Sequence, residues 1–181
     1  MRHALLALML APPALAGECP DPPDHGAALS DLFAEVQAAE TERQAQQVAN
    51  RMWALWADAP DSQAQDWLDE GMTRREAYDF TGALKAFDAV IAYCPDYAEG
   101  YNQRAFVNFI RQDYEAALPD LDHALARQPR HVAAMTGRAL TLMALDRKPE
   151  AALELRRALT LNPWLQERHL LPALEAAEEE L

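Results

Sequence analysis

Three prolines recur at one fixed interval in the second half of this 181-residue chain. Pro95, Pro129 and Pro163 are separated by 34 residues both times. The positions twelve residues before each proline hold only alanine, and the positions eight residues before it hold only large apolar side chains. These residues are Ala83, Ala117 and Ala151, and then Phe87, Leu121 and Leu155. A period of roughly 20 to 50 residues indicates a small structural unit that is stacked on copies of itself.

The remaining positions of the repeat are typical of two packed helices. The side chain twenty-four residues before each proline is small, and the one twenty-eight residues before it is large. These residues are Gly71, Ala105 and Ala139, and then Trp67, Tyr101 and Met135. Small residues let two helices approach closely, while large ones fill the remaining volume, and each proline ends a helix. The composition agrees, because 8% aromatic residues and six glycines do not indicate a sandwich or barrel.

This pattern resembles the tetratricopeptide repeat (TPR), with units at 64–97, 98–131 and 132–165. The resemblance implies an all-α superhelical solenoid of antiparallel helix pairs. The chain departs from the usual pattern at the seventh position of each unit, where leucine is common. That position holds Glu70, Arg104 and Arg138 here.

A degenerate TPR-like pair is expected before the three units, over 28–62. Pro60 lies 35 residues before Pro95, which continues the period with one extra residue. We therefore expect helices at about 28–39 and 42–57.

Both ends of the predicted stack carry local helix signals. Thr41 followed by Gln44 is the signature of a capping box at the start of the second helix. Residues 166–181 are expected to form a capping helix with a polar outer face, because terminal repeats of a stack must cover its core. Pro172 should either kink this helix or begin its second half.

Residues 1–16 have the pattern of a signal peptide. Arg2 supplies the positive charge, and the apolar run 4–11 is too short to span a bilayer. Small residues precede a cleavage site after Ala16. The pattern predicts export, with the bacterial periplasm as the simplest destination, and leaves 17–27 as a Pro-rich arm of the mature chain.

The predicted compartment affects the expected state of the two cysteines. Cys19 lies in the arm and Cys94 at the end of a predicted helix. In an oxidising compartment a disulfide between them would pin the arm to the body, closing a loop of about 75 residues and contributing on the order of 4 kcal/mol. The alternative is two free thiols, one in the arm and one packed.

Charge and motifs exclude several classes of function. The chain has 16 basic and 29 acidic residues, a net charge of −13, which disfavours nucleic acid and anionic membranes. No nucleotide-binding, hydrolase or metalloprotease motif is present, so we expect neither an enzyme nor a cofactor. Asp120, Asp122 and His123 could be drawn as a metal site, but we interpret them as solvated helix residues and expect no metal.

The resemblance places a peptide-binding groove on the concave side, lined by the first helix of each unit. The residues that it directs there are Gln65, Leu68, Met72, Arg75, Asn102, Phe106, Phe109, Ile110, Thr136, Leu140 and Met143. The chaperone-type carboxylate clamp of this family needs polar groups at the ninth position, which here holds Met72, Phe106 and Leu140. We therefore expect an apolar helix or extended peptide as the ligand, although some of these side chains could belong to the core of so short a stack.

Two functions remain open from the sequence. The chain could be a protein-interaction module that binds a peptide in its groove, as an adaptor or assembly factor of the bacterial envelope. It could instead be a structural subunit of a homo-oligomer or envelope complex, with the groove filled by its own arm, N-terminal helices or C-terminal helix. Phe109→Asp would abolish ligand binding in the first case, and assembly or stability in the second.

Overall fold

The computed structural model describes residues 18–179, and every regular element within them is helical. The signal peptide predicted for 1–16 lies outside the described residues. The helices are α1 (Gly26–Gln37), α2 (Glu42–Trp56), α3 (Ser62–Glu76), α4 (Phe80–Tyr93), α5 (Ala98–Ile110), α6 (Tyr114–Arg127), α7 (Val132–Ala144), α8 (Lys148–Leu161), a 3₁₀ helix (Gln166–Leu170) and α9 (Leu171–Glu179). The predicted all-α class is confirmed.

Helices α3 to α8 form three pairs that stack in the order of the sequence. Within each unit the two helices pack on one another, and then α4 packs along α5 and α6 along α7. The repeat alanines make this possible, because Ala83, Ala117 and Ala151 are completely buried between the helices. This arrangement is the predicted solenoid.

The turn inside each pair repeats as strictly as the helices do. Its left-handed residues stand 34 positions apart and have φ angles of 60°, 61° and 58°. They are Tyr78, Gln112 and Asp146. In each turn the next N–H donates to the carbonyl five residues earlier at 2.9 Å, which satisfies the end of the first helix. Asp79 and Asp113 then cap the second helices of their units.

The unusual arginines at the seventh position join each unit to the one before it. Arg104 donates to Asp88, sixteen residues earlier, at 2.7 Å, and to both carboxylate oxygens of Asp120, sixteen residues later, at 2.6 and 2.8 Å. The equivalent contacts of the third unit are made by Arg138, Asp122 and Glu154. These ion pairs occupy Asp120 and Asp122, two of the three residues that the sequence offered as a metal site, and the ring of the third, His123, lies against that of Tyr101.

The N-terminal helix pair forms but does not stack as a fourth repeat. Thr41 makes the predicted capping box with Gln44, which is confirmed. However, α2 does not run along α3 in the way that α4 runs along α5. The apolar side chains of α1 and α2 instead share a core with Val132, at the start of α7, and with Trp164 and Leu165, which follow α8.

The two tryptophans of α2 differ in their surroundings. Trp56 is buried against the third unit, where it stacks on His131 with 4.3 Å between ring centroids. Trp53 is 42% exposed. The pair lies across the stack because its apolar side chains pack on the apolar side chains at the start of α7 and after α8. Gln37 adds a hydrogen bond of 2.9 Å to the carbonyl of Thr160.

Both ends of the described part of the chain are attached to the stack. Cys19 and Cys94 form a disulfide, which ties the arm to the end of α4. At the other end Pro172 lies in the first turn of α9, and Leu174 packs on α8 to cover the last repeat. None of the helices within 18–179 has the length and apolar character needed to cross a membrane.

Candidate functional site

A cavity of about 450 Å³ opens on the concave side of the stack, which is within the usual size range of ligand sites. Its floor is formed by α3, α5 and α7, and its rims by α2 and the segment after α8. The residues that line it are Trp53, Arg75, Asn102, Gln103, Ala105, Phe106, Phe109, Leu121, Ala133, Thr136, Gly137, Leu140, Thr141, Leu165 and Glu167. We call this cavity the concave pocket.

Six of the eleven predicted groove residues meet in the concave pocket. They are Arg75, Asn102, Phe106, Phe109, Thr136 and Leu140. They come from the first helices of three successive units, and the 34-residue period brings them to one side of the stack. The groove pattern of the repeat family therefore predicts the residues in the middle of the concave pocket, and their role in binding stays a prediction.

The other five predicted residues lie elsewhere. Leu68 is fully buried in the core with Ala59 and Tyr97, which cover this face of α3, so it cannot contact a ligand. Met72 and Met143 are half-buried at the edges of two repeat cores.

Gln65 and Ile110 also lie outside the pocket, for different reasons. The amide of Gln65 is used locally, because it accepts the N–H of Ala59 at 3.0 Å and donates to Asp69 at 2.9 Å. Ile110 is 39% exposed at the last residue of α5 and does not line the cavity. Local hydrogen bonds thus keep Gln65 out of the groove, and its position at a helix end keeps Ile110 out.

The apolar part of the pocket is formed mainly by Phe106, Phe109 and Leu140. Phe106 is 47% exposed, which is unusual for a large aromatic residue in a short stack. Phe109 is half-buried and packs edge-on against Tyr114, with 5.4 Å between ring centroids. Trp53 extends this surface from the opposite rim.

The polar side chains at one end of the pocket are held by hydrogen bonds to a buried carboxylate. Glu99 is 1% exposed and accepts hydrogen bonds from Asn102 at 3.1 Å and from Gln103 at 2.5 Å. His131 completes the set with a contact of 2.7 Å between Nε2 and Glu99. Since Nδ1 of His131 accepts the N–H of Ala134, Nε2 carries the hydrogen and donates to the carboxylate.

Arg75 connects this network to the pocket. Its guanidinium donates to the side-chain oxygen of Gln103 and lies 5.0 Å from the centroid of the Phe106 ring. Burial lowers the pKa of Arg75, while Glu76 and Glu99 act in the opposite direction, and the group stays protonated.

Three residues on the rims were not predicted as part of the site. Trp53 belongs to α2 of the N-terminal pair, Leu165 ends the last repeat and Glu167 follows it. Their role depends on where the N-terminal pair and the C-terminal segment pack, which the repeat pattern does not specify. No local signal in the sequence would have identified them.

The N-terminal pair narrows the groove without filling it. Trp56 and its neighbours occupy the side next to Val132 and Leu165, and Trp53 forms a wall of the space that remains. Part of the concave surface is therefore covered by the chain itself, and about 450 Å³ stays accessible.

We compared the sequence and the fold with those of known proteins. No protein-family model matches the sequence. A TPR repeat-containing protein of Rhizobium etli is 28% identical over 156 residues, which are 84% of this chain and 71% of that protein.

Solved structures share the fold at lower identity. The first TPR domain of Spaghetti (RPAP3), bound to an HSP90 peptide, is 21% identical, with a TM-score of 0.63, and the match covers 66% of this chain and 96% of that domain. MamA of Desulfovibrio magneticus RS-1 is 16% identical, with a TM-score of 0.59, and the match covers 88% of each chain.

The period of 34, the stacked helix pairs and these likenesses show that the chain has the solenoid fold of the tetratricopeptide repeat class. Domains of this class are protein-interaction modules, and several of the solved ones hold peptides.

Proposed function

We propose that this protein is an exported interaction module, an adaptor or assembly factor of the bacterial envelope without catalytic activity. Its ligand would be an apolar peptide or helix held in the concave pocket. The function rests on preorganised binding, because rigid helices present a fixed surface and little conformational entropy is lost on the protein side.

One observation carries the proposal: the pocket leaves large apolar side chains open to solvent. Phe106 is 47% exposed, and Phe109, Leu140 and Trp53 adjoin it on the same cavity. An apolar surface of this kind, bordered by polar side chains at one end of the pocket, is typical of a peptide-binding site. The helix-in-groove or extended mode of peptide binding would suit its shape.

The test compares two variants that add the same charge at different places. Phe106→Asp lies in the pocket, whereas Leu153→Asp lies on α8, where Leu153 is 57% exposed and outside the pocket. The mature protein and both variants would be used to capture partners from a periplasmic extract, after circular dichroism has shown that all three are folded.

A partner that wild type and Leu153→Asp retain, and Phe106→Asp loses, supports binding in the pocket. Equal capture by all three would reject the pocket as the site. A changed oligomeric state with Leu153→Asp alone would favour the structural-subunit function.

Export to the periplasm is part of the proposal. The Cys19–Cys94 disulfide supports it, because such bonds persist in oxidising compartments. Expression of the whole chain in a bacterium, followed by mass measurement of the periplasmic form, should give the mass of a chain that begins at Gly17. A chain of full mass that stays in the cytosolic fraction would reject export.

A further inference from the structure

We infer that the concave pocket selects apolar peptide segments that carry a single side-chain carboxylate, which binds to the guanidinium of Arg75. This inference rests on the proposed peptide-binding function and specifies its ligand. Two features of the pocket carry it: a cation with unused donors, and a buried hydroxyl without a partner.

Arg75 has hydrogen-bonding capacity that the protein leaves unused. Its side chain is only 15% exposed, and its one hydrogen bond among the described residues goes to Gln103. The nearest carboxylate oxygen, on Glu76, is 3.9 Å from Nη2, too far for a hydrogen bond. A guanidinium has five N–H donors and suits a carboxylate in two-point geometry, so Arg75 can take one more anionic partner.

The buried Glu99 does not serve as that partner. Its two oxygens already accept from Asn102, Gln103 and His131. The amide of Gln103 lies between the two charges, since it accepts from Arg75 and donates to Glu99. Glu99 thus orients Gln103, and through it the guanidinium, while the face of Arg75 toward the pocket is left to a ligand.

Thr136 supplies a second, independent sign of a ligand. It is 8% exposed, it lines the pocket on α7, and its hydroxyl has no hydrogen-bond partner within residues 18–179. A buried hydroxyl without a partner is unfavourable, and a hydroxyl can both donate and accept. The oxygen itself has almost no exposed surface, so a peptide amide would satisfy it after a rotation of the Thr136 side chain toward the pocket. A hydrocarbon chain could not satisfy it in any rotamer.

The charges around the pocket limit the ligand to one carboxylate. Among the residues that the structure describes, Arg75 is the only basic one in the lining, and Glu167 stands on the C-terminal rim. The whole chain carries a net charge of −13. A peptide with several acidic residues would therefore be repelled, whereas one carboxylate beside large apolar side chains matches the single cation and its aromatic neighbours.

The experiment uses short, fluorescent, end-blocked peptides of Leu, Phe and Ser, in which one Glu is moved along the sequence. Each peptide has a twin with Gln at the same position, and blocking both ends leaves the Glu side chain as the only anion. Binding to the mature, oxidised protein is measured by fluorescence anisotropy. We expect at least one Glu peptide to bind about tenfold more tightly than its Gln twin.

Three variants test whether the preference for Glu peptides depends on Arg75. Arg75→Gln should bind both twins equally, and Arg75→Lys should keep a reduced preference for Glu because it retains the charge. Arg111→Gln is the control, since Arg111 is exposed at the end of α5 and outside the pocket. It should leave the preference unchanged.

The outcomes separate this inference from the proposed function. If peptides bind but every Glu peptide equals its Gln twin, the inference is overturned while the groove function stands. If the preference persists in Arg75→Gln, the carboxylate binds elsewhere and the inference is equally overturned. If no peptide of either kind binds, the function itself fails, and the inference with it.

Discussion

Gly71 and Phe87 determine how closely the two helices of the first unit approach. A Cβ atom placed on Gly71 would overlap the ring of Phe87, which is completely buried. The later units use a different combination at the same two positions, a slightly larger residue opposite a smaller one. These pairs are Ala105 with Leu121 and Ala139 with Leu155. The same space between the two helices of a unit is thus filled either by a glycine and a phenylalanine or by an alanine and a leucine.

This division predicts a rescue between two substitutions. Gly71→Ala should lower the free energy of unfolding by about 1–2 kcal/mol, because overpacking outweighs the better helix propensity of alanine. Phe87→Leu alone should also destabilise, since it leaves a void. The double variant recreates the pair of the other units and should be more stable than the sum of the single effects predicts. Urea titrations of the four proteins measure this coupling, and strict additivity would contradict it.

At the scale of elements, the arginines of the seventh position stabilise the contact between successive helix pairs. Asp120 is 4% exposed, and Arg104 supplies two hydrogen bonds to it. These bonds raise the pKa of Arg104, so its guanidinium remains charged. The first unit has Glu70 and Ala86 at the equivalent positions and makes no such contact.

Removing Arg104 alone should therefore lower the free energy of unfolding more than removing both Arg104 and Asp120. Arg104→Met leaves the buried carboxylate of Asp120 without its cation, and we expect a loss of roughly 2 kcal/mol, between the values for exposed and fully buried pairs. Adding Asp120→Ala should recover part of that loss, because the first unit tolerates alanine there. Thermal unfolding followed by circular dichroism tests both proteins. A double variant less stable than Arg104→Met would show that the acid stabilises the fold independently.

The elements also show what the sequence could predict. The repeat helices follow from local patterns, such as the prolines and the box of Thr41 and Gln44, so their existence and order were predictable. The ion pairs were predictable in principle, since Asp88 and Asp122 share the period of the arginines. The position of the N-terminal pair was not, because its apolar face meets residues about a hundred positions further along the chain. Trp53 and Leu165 were missed for the same reason.

At the scale of the whole molecule, the N-terminal pair partly covers the concave side of the stack. Its helices share a core with the third unit, and the disulfide ties the preceding arm to the first. The arm and the pair together are therefore attached to both ends of the array, whereas in a linear stack each repeat would contact only its neighbours. Trp53 reaches the concave pocket only because of this crossing.

Breaking the disulfide should consequently loosen the pair and widen the pocket. Cys19→Ser removes a cross-link between residues 75 positions apart, and the expected loss of stability is up to about 4 kcal/mol for an unstrained loop of that length. Cys19 is the better site for the substitution, because Cys94 is 1% exposed and belongs to the core of the first unit. Chemical reduction of the wild type should reproduce the effect.

Hydrogen exchange distinguishes a local from a global consequence of that change. Because the bond restrains the arm that leads into α1, we expect the largest loss of amide protection in α1 and α2, with α5 and α6 changed least. Ligand affinity should then fall with the loss of the Trp53 wall, even where the repeats stay folded. Uniform loss of protection over all helices would mean that the pair and the repeats unfold together. Unchanged protection in α1 and α2 would show that their shared core with Val132 and Trp164 holds them in place without the bond.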